Sequence, residues 1–128
     1  KYAMAGLDGG RLNIAACSLG GAQDAFERAL AYARDRKQFG RALVDFQANQ
    51  FKIADMETDL QAARSLLYVA AQKLDQKADD ATRYCAMAKR FVTDTGFKVA
   101  NEALQINGKA GRSTLTKIRF LQEYCQQA

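Results

Sequence analysis

From Phe46 to Leu74 the apolar residues Ile53, Met56, Leu60, Ala63, Leu67, Ala70 and Leu74 recur every three or four positions without a miss. That spacing follows the helical turn and no strand period, so the stretch is read as a long helix with one buried stripe. Lys52, Asp55, Asp59, Gln61 and Arg64 fall opposite the stripe, as on a surface helix packed along one side. The same step runs before it through Leu12, Ala15, Leu19, Ala22, Phe26, Leu30 and Ala33. It returns after it through Tyr84, Ala88, Phe91, Thr95, Val99, Ala103 and Ile106. The chain contains no proline to break any of the three.

Local signals set the expected boundaries. Lys1 to Leu7 carries no stripe, and Asp8 is a good N-cap, so the first helix is predicted to start there and run for about 28 residues, or roughly 40 Å. Gly9-Gly10 would admit close approach of another backbone at that start. Gly20-Gly21 would do the same at mid-helix, each at a cost of about 1 kcal/mol relative to alanine. Asp45 can cap the second helix, and Asp79 or Asp80 the third, which Gly108 ends. In the tail, Leu115, Ile118, Leu121, Gln122 and Cys125 are spaced for a short helix. The expected fold is all-α: an up-and-down bundle of three long antiparallel helices plus a short C-terminal helix. At 128 residues it makes one domain, 1–128, with 1–7 as a lead-in and 109–128 as a tail.

Composition excludes several function classes. The net charge is +5 with both signs interspersed, and no dense basic stripe or motif marks a nucleic-acid binder. No histidine is present, which removes the commonest general base and metal ligand. Cys17, Cys85 and Cys125 are odd in number and lack metal spacing, so they read as thiols of a cytosolic or organelle-matrix protein. No segment approaches the roughly 20 apolar residues of a membrane span. A chain that starts at Lys1 without a signal peptide is expected to be a fragment or a processed product.

The one long interruption of the helical pattern is Arg36-Lys37-Gln38-Phe39-Gly40, followed by Arg41 to Gln47. In an up-down bundle the first and third helices run the same way. The corner and the segment from Gln105 to Gly111 then share a pole with Gln47. Arg36 can chelate a phosphate through its planar fork. Phe39 can stack on a ring, Gln47 and Gln105 can read amide or heterocycle edges, and Gly108 and Gly111 let backbone approach a pyrophosphate. No Ser/His/Asp, Cys/His or metal constellation can be assembled, so no catalytic residue and no metal ligand is assigned. The residues support an anion site for a dinucleotide-like ligand. A plain basic surface turn is the competing account.

In this order, the residues resemble the C-terminal helical domain of the acyl-CoA dehydrogenase family. The resemblance rests on Leu7-Asp8-Gly9-Gly10-Arg11, on Arg36-Lys37-Gln38-Phe39-Gly40 with Phe46-Gln47, on Ala54-Asp55-Met56 and Ala62-Ala63-Arg64, and on Ala88-Lys89 and Gln105-Ile106-Asn107-Gly108. It implies α,β-dehydrogenation of acyl-CoA thioesters with FAD held between subunits of a dimer or tetramer. It further implies that Arg36 reaches the pyrophosphate of a neighbour's FAD, that Phe39, Gln47 and Gln105 contact the cofactor, and that the turn through Gly108 and Lys109 lies along it. Leu7, Asp8 and Arg11 match residues beside the acyl-CoA substrate, a helix cap and a surface charge being the alternatives for the last two. An acceptor such as an electron-transfer flavoprotein, and a cytoplasmic or mitochondrial-matrix location, belong to the same implication.

The departures are informative. Gly108-Lys109 stands where the family has two glycines, Arg112 where it has an aromatic residue and Leu115 where it has a carboxylate. The tail from Lys109 reads as divergent, alternatively spliced or frame-shifted. The family's usual catalytic glutamate would fall beyond Ala128. Gly10 occupies the position where a minority of members carry the base. The polypeptide alone is therefore expected to lack turnover. The alternative function is a non-catalytic helical module that self-associates.

Overall fold

The computed structural model describes residues 2–108, and side-chain surroundings from residue 6 onward. Three helices make up nearly all of it: α1 (Tyr2–Asp35), α2 (Gln47–Asp75) and α3 (Ala81–Asn107). Cross-helix contacts give their directions. Asp8 of α1 meets Thr82 at the start of α3, and Ser18 lies against Gly96 further on, so α1 and α3 run parallel. Lys52 of α2 reaches Glu102 and Asp59 reaches Lys98, so α2 runs antiparallel to α3. The fold is the expected all-α up-and-down bundle; the tail helix suggested for 109–128 lies outside the described residues.

The core follows the sequence stripes closely. Met56, Leu60, Ala63, Leu67 and Ala70 are buried on α2, and Ala15, Leu19, Ala22, Phe26 and Ala33 on α1. On α3, Ala88, Thr95, Val99, Ala103 and Ile106 are buried as the spacing predicts. Phe91 is exposed instead, and Val92 takes the core position beside it. The core is rich in alanine, so the helix axes approach closely and little volume separates α1 from α3.

The boundaries differ from the sequence expectation in instructive ways. The first helix starts at Tyr2, not after Asp8, so Asp8 sits inside α1 as a buried residue and not as a cap. Ala3, Met4, Ala5 and Leu7 are strong helix formers, and their propensity carries the helix through Gly9-Gly10. A Cβ at Gly9, Gly10 or Gly20 would meet nothing within 4 Å, so these glycines do not mark close packing. Gly96 does: a Cβ there would collide with the Ser18 hydroxyl and lie 3.2 Å from the Ser18 carbonyl oxygen. Asp80 is the α3 N-cap residue but makes no side-chain cap bond, because its carboxylate accepts from Lys73 Nζ at 2.8 Å and from Arg83. Lys73 holds the Asp80 carboxyl below its usual range, with a further contribution from Arg83.

The polar side of α2 is not simply solvated. Lys52 and Asp59 pair with Glu102 and Lys98 across α3, and Arg64 donates to Gln23 of α1 at 3.0 Å. Such half-exposed pairs are worth little individually, and they join α2 to α3 and α1 beside the buried stripe that sets its rotation.

Candidate functional site

The chain between α1 and α2 is a structured corner. Lys37–Gln38 (β1) and Arg41–Ala42 (β2) pair antiparallel, Lys37 opposite Ala42 and Gln38 opposite Arg41. The connection is the two residues Phe39-Gly40, with φ of 53° and 77°. Two successive positive φ values are the mark of a type I′ turn, which matches the twist of the paired strands. Glycine adopts the second position freely. Phenylalanine at the first does not, since its Cβ crowds the carbonyl. The sequence thus tolerates strain at Phe39, and the ring is 95 % exposed at the tip.

The base of the hairpin is anchored. Leu43 N–H donates to the Arg36 carbonyl at 2.8 Å, and Asn49 Nδ2 donates to the Leu43 carbonyl at 2.8 Å. Leu43 and Val44 pack against the core, the first of them opening a 3-10 turn (Leu43–Asp45). Asp45 does not cap α2; its carboxylate accepts from Ala42 N–H at 3.3 Å within the turn, and Phe46 is the cap residue of α2. Arg41 lies over the Phe46 ring, 4.9 Å from its centroid, and donates to the Asp45 carbonyl. Arg36 and Lys37 form no ion pair among the described residues, so their charge is available to a ligand.

Helix direction places the remaining predicted residues. Arg36, Phe39 and Gln47 stand where α1 ends and α2 begins. Gln105 is exposed in the last turn of α3, and Gly108 closes that helix with φ 50°. All lie at one pole of the bundle, as the up-down topology requires. Lys109 and Gly111 lie outside the described residues. The pole offers an unpaired guanidinium, exposed amides, an exposed ring and a glycine of positive φ, groups that can bond a phosphate and stack on a flat ring. No group of acidic, cysteine or histidine residues among those described could hold a metal ion.

Leu7, Asp8 and Arg11 lie at the other pole. Leu7 is exposed. The Asp8 side chain is only 5 % exposed; it accepts from Arg11 Nη1 at 2.8 Å and from Thr82 Oγ1 at 2.6 Å. Cys85 lies one turn on from Thr82, where burial and then the Asp8 charge push its thiol up. Thr82 carried no sequence signal, because nothing local to it reveals that its hydroxyl meets a carboxylate on α1.

The family model for the acyl-CoA dehydrogenase C-terminal domain matches residues 1–127. The mitochondrial isobutyryl-CoA dehydrogenase of Dictyostelium discoideum is 50 % identical over 111 residues, 87 % of this chain and 27 % of that protein. The caffeyl-CoA reductase–Etf complex subunit CarC of Acetobacterium woodii is 42 % identical over 124 residues, 97 % of this chain and 32 % of that protein. The solved structure of butyryl-CoA dehydrogenase from Megasphaera elsdenii superposes with a TM-score of 0.81 at 44 % identity, covering 86 % of this chain and 28 % of that one. The chain therefore spans roughly a third or less of the relatives it matches. Among the described residues no helix is long and apolar enough to cross a membrane.

Proposed function

Because this chain belongs to the acyl-CoA dehydrogenase family, as the C-terminal domain of such a protein, we propose that it supplies two separate half-sites to an FAD-dependent dehydrogenase of acyl-CoA thioesters. One is a dinucleotide clamp made by Arg36, Phe39, Gln47, Gln105, Gly108 and Lys109. The other is a wall of the acyl-CoA pocket made by Leu7, Asp8 and Arg11. When bound, FAD supplies the two-electron chemistry of α,β-dehydrogenation. Arg36 neutralises pyrophosphate charge, Phe39 covers a ring face, and the two glutamines bond polar edges.

The observation that carries this reading is the separation of the two clusters. Arg11 and Arg36 lie 25 residues apart along α1 and just past it, or roughly 37 Å at 1.5 Å per residue. Substrate and flavin must touch for a hydride to pass, and a separation of that order supports the reading that the two clusters of one chain serve different catalytic centres. Each clamp then acts on the FAD of another copy, in a dimer or tetramer. No carboxylate of this chain is assigned as the base, so the polypeptide alone gives no turnover. The electron acceptor is of the electron-transfer flavoprotein class, and the location is the mitochondrial matrix or the bacterial cytoplasm.

Light scattering with and without FAD, paired with flavin fluorescence titration, tests the clamp. A self-associating chain that binds FAD, and loses affinity on Arg36→Ala, supports it. A monomer that never binds FAD refutes it. Reduction of an electron acceptor by the purified chain with acyl-CoA would overturn the claim of no turnover. A second reading, a non-catalytic self-associating module, is favoured by exposed Phe51, Tyr68, Val69, Met87, Phe91 and Phe97 on α2 and α3. It requires association that is indifferent to FAD and to Arg36→Ala.

A further inference from the structure

Asp8 is the one buried acidic side chain among the described residues, and the acyl-CoA reading of its pole leaves its second partner without a role. A carboxylate out of water must have its oxygens satisfied, or the cost is several kcal/mol. Here the two oxygens are divided. Oδ1 accepts from Arg11 Nη1 at 2.8 Å, and Oδ2 accepts from Thr82 Oγ1 at 2.6 Å. The first bond stays within one turn of α1, whereas the second crosses to the first turn of α3. Thr82 thus prevents the carboxylate from rotating about its own bond, and the carboxylate in turn holds one amino group of Arg11. The Arg11 side chain is 28 % exposed, and Asp8 is its hydrogen-bond partner among the described residues. Its Nε and Nη2 donors have no acceptor among the described residues.

We propose that Thr82 is a positioning residue: through Asp8 it sets the direction in which the Arg11 guanidinium offers its free donors to an oxygen of the acyl-CoA thioester. The proposal rests on the reading of the Leu7, Asp8 and Arg11 pole as a wall of the acyl-CoA pocket. Arg11 alone could swing about several side-chain bonds. An arginine fork pinned through one amino group loses that freedom before the ligand arrives, and affinity gains by the entropy no longer lost on binding. The relay also ties the pocket wall to α3, whose far end carries Gln105.

The test uses the chain in its FAD-loaded assembly and acetyl-CoA as the probe. Acetyl-CoA has the thioester but no β carbon, so it binds without being dehydrogenated. Calorimetry of Thr82→Val, which removes the hydroxyl and keeps the shape, is expected to show about tenfold weaker binding, equivalent to ~1.4 kcal/mol. Thr82→Ser is expected to restore affinity to within about twofold, and Arg11→Gln to lose at least as much as Thr82→Val. In parallel, hydrogen exchange at the Arg11 Nη1 group that Asp8 holds, followed by NMR, is expected to accelerate in Thr82→Val at an unchanged urea midpoint. Loss in Arg11→Gln with none in Thr82→Val refutes the positioning role and leaves the pocket wall standing. No loss in either removes the pocket wall and the relay with it. Equal loss in Thr82→Val and Thr82→Ser refutes the hydroxyl as the agent. If Thr82→Val does not fold, Asp8→Asn, which keeps the shape of the side chain, takes its place; unchanged acetyl-CoA affinity and unchanged Arg11 exchange there overturn the proposal.

Discussion

Replacing Phe39 with asparagine is expected to make the chain more stable while weakening its hold on FAD. Phe39 has φ 53° and Gly40 φ 77°, and the pair forms the whole connection between β1 and β2. A non-glycine residue in the left-handed region costs roughly 1–2 kcal/mol, and the cost is smaller for asparagine because its short amide tolerates that region. Against this stands any packing lost with the ring. The ring is 95 % exposed. Of the roughly 200 Å² a phenylalanine can bury, about a twentieth is covered, worth about 0.25 kcal/mol at 25 cal/mol per Å². The balance favours the Phe39→Asn variant by about 0.5–1 kcal/mol, since Asn-Gly is also the preferred sequence for this turn. The gain registers in global unfolding because the hairpin base is tied to the bundle by the Leu43–Arg36 and Asn49–Leu43 bonds. In urea, with a slope near ~2 kcal/mol per M, the midpoint should rise by about 0.3–0.5 M at unchanged slope. FAD titration of the same variant should show weaker binding. A lower urea midpoint for Phe39→Asn would mean that the ring is held by packing, and the assignment of strain retained for a ligand would be wrong.

Gly96→Ala should destabilise: helix propensity gains about 1 kcal/mol, but overpacking against Ser18 costs about 1–3 kcal/mol, and Ser18→Ala in the same chain should recover part of the loss in a double-mutant cycle read by urea unfolding. Leu60→Ala, at a fully buried position of α2, should cost about 2–5 kcal/mol in the same assay. Asp80 has its folded-state pKa lowered by Lys73, so its stabilisation is full above the unfolded value near ~3.9 and is lost as pH falls through the lower folded value. Asp80→Asn should therefore lower the urea midpoint at neutral pH, and its gap to the parent should narrow as pH falls through the lowered folded-state value. In a Cys125→Ser background, a thiol reagent should modify exposed Cys17 at once and buried Cys85 only as the protein unfolds, since burial raises the latter's thiol pKa.

The bundle is legible in the sequence because it depends on periodicity, which is local. Leu60, Leu67 and Val99 are core residues for the same reason that their neighbours three and four positions away are. The shared pole of Arg36, Phe39, Gln47 and Gln105 also follows, because short links between long helices leave only the up-down arrangement. Boundaries are less legible. Asp8 looks like a cap beside two glycines, yet it is buried mid-helix because α3 offers Thr82 as a partner. Gly20 looks like a packing glycine, but Gly96 has that role, since only the crossing of α1 on α3 decides which glycine faces a neighbour.

Residue order alone was enough for the helical class, the stripes that face the core and the residues gathered at the α1–α2 corner. These depend on the spacing of side chains along one helix and on the conformational demands of glycine and proline. The strained left-handed Phe39, the ion pairs of α2 with α3, and the Thr82–Asp8–Arg11 relay came from the packed structure. The relay and the ion pairs depend on which side chains meet across tens of residues, and the turn at Phe39 depends on how its hairpin is tied down. All three are settled by how helix surfaces interlock.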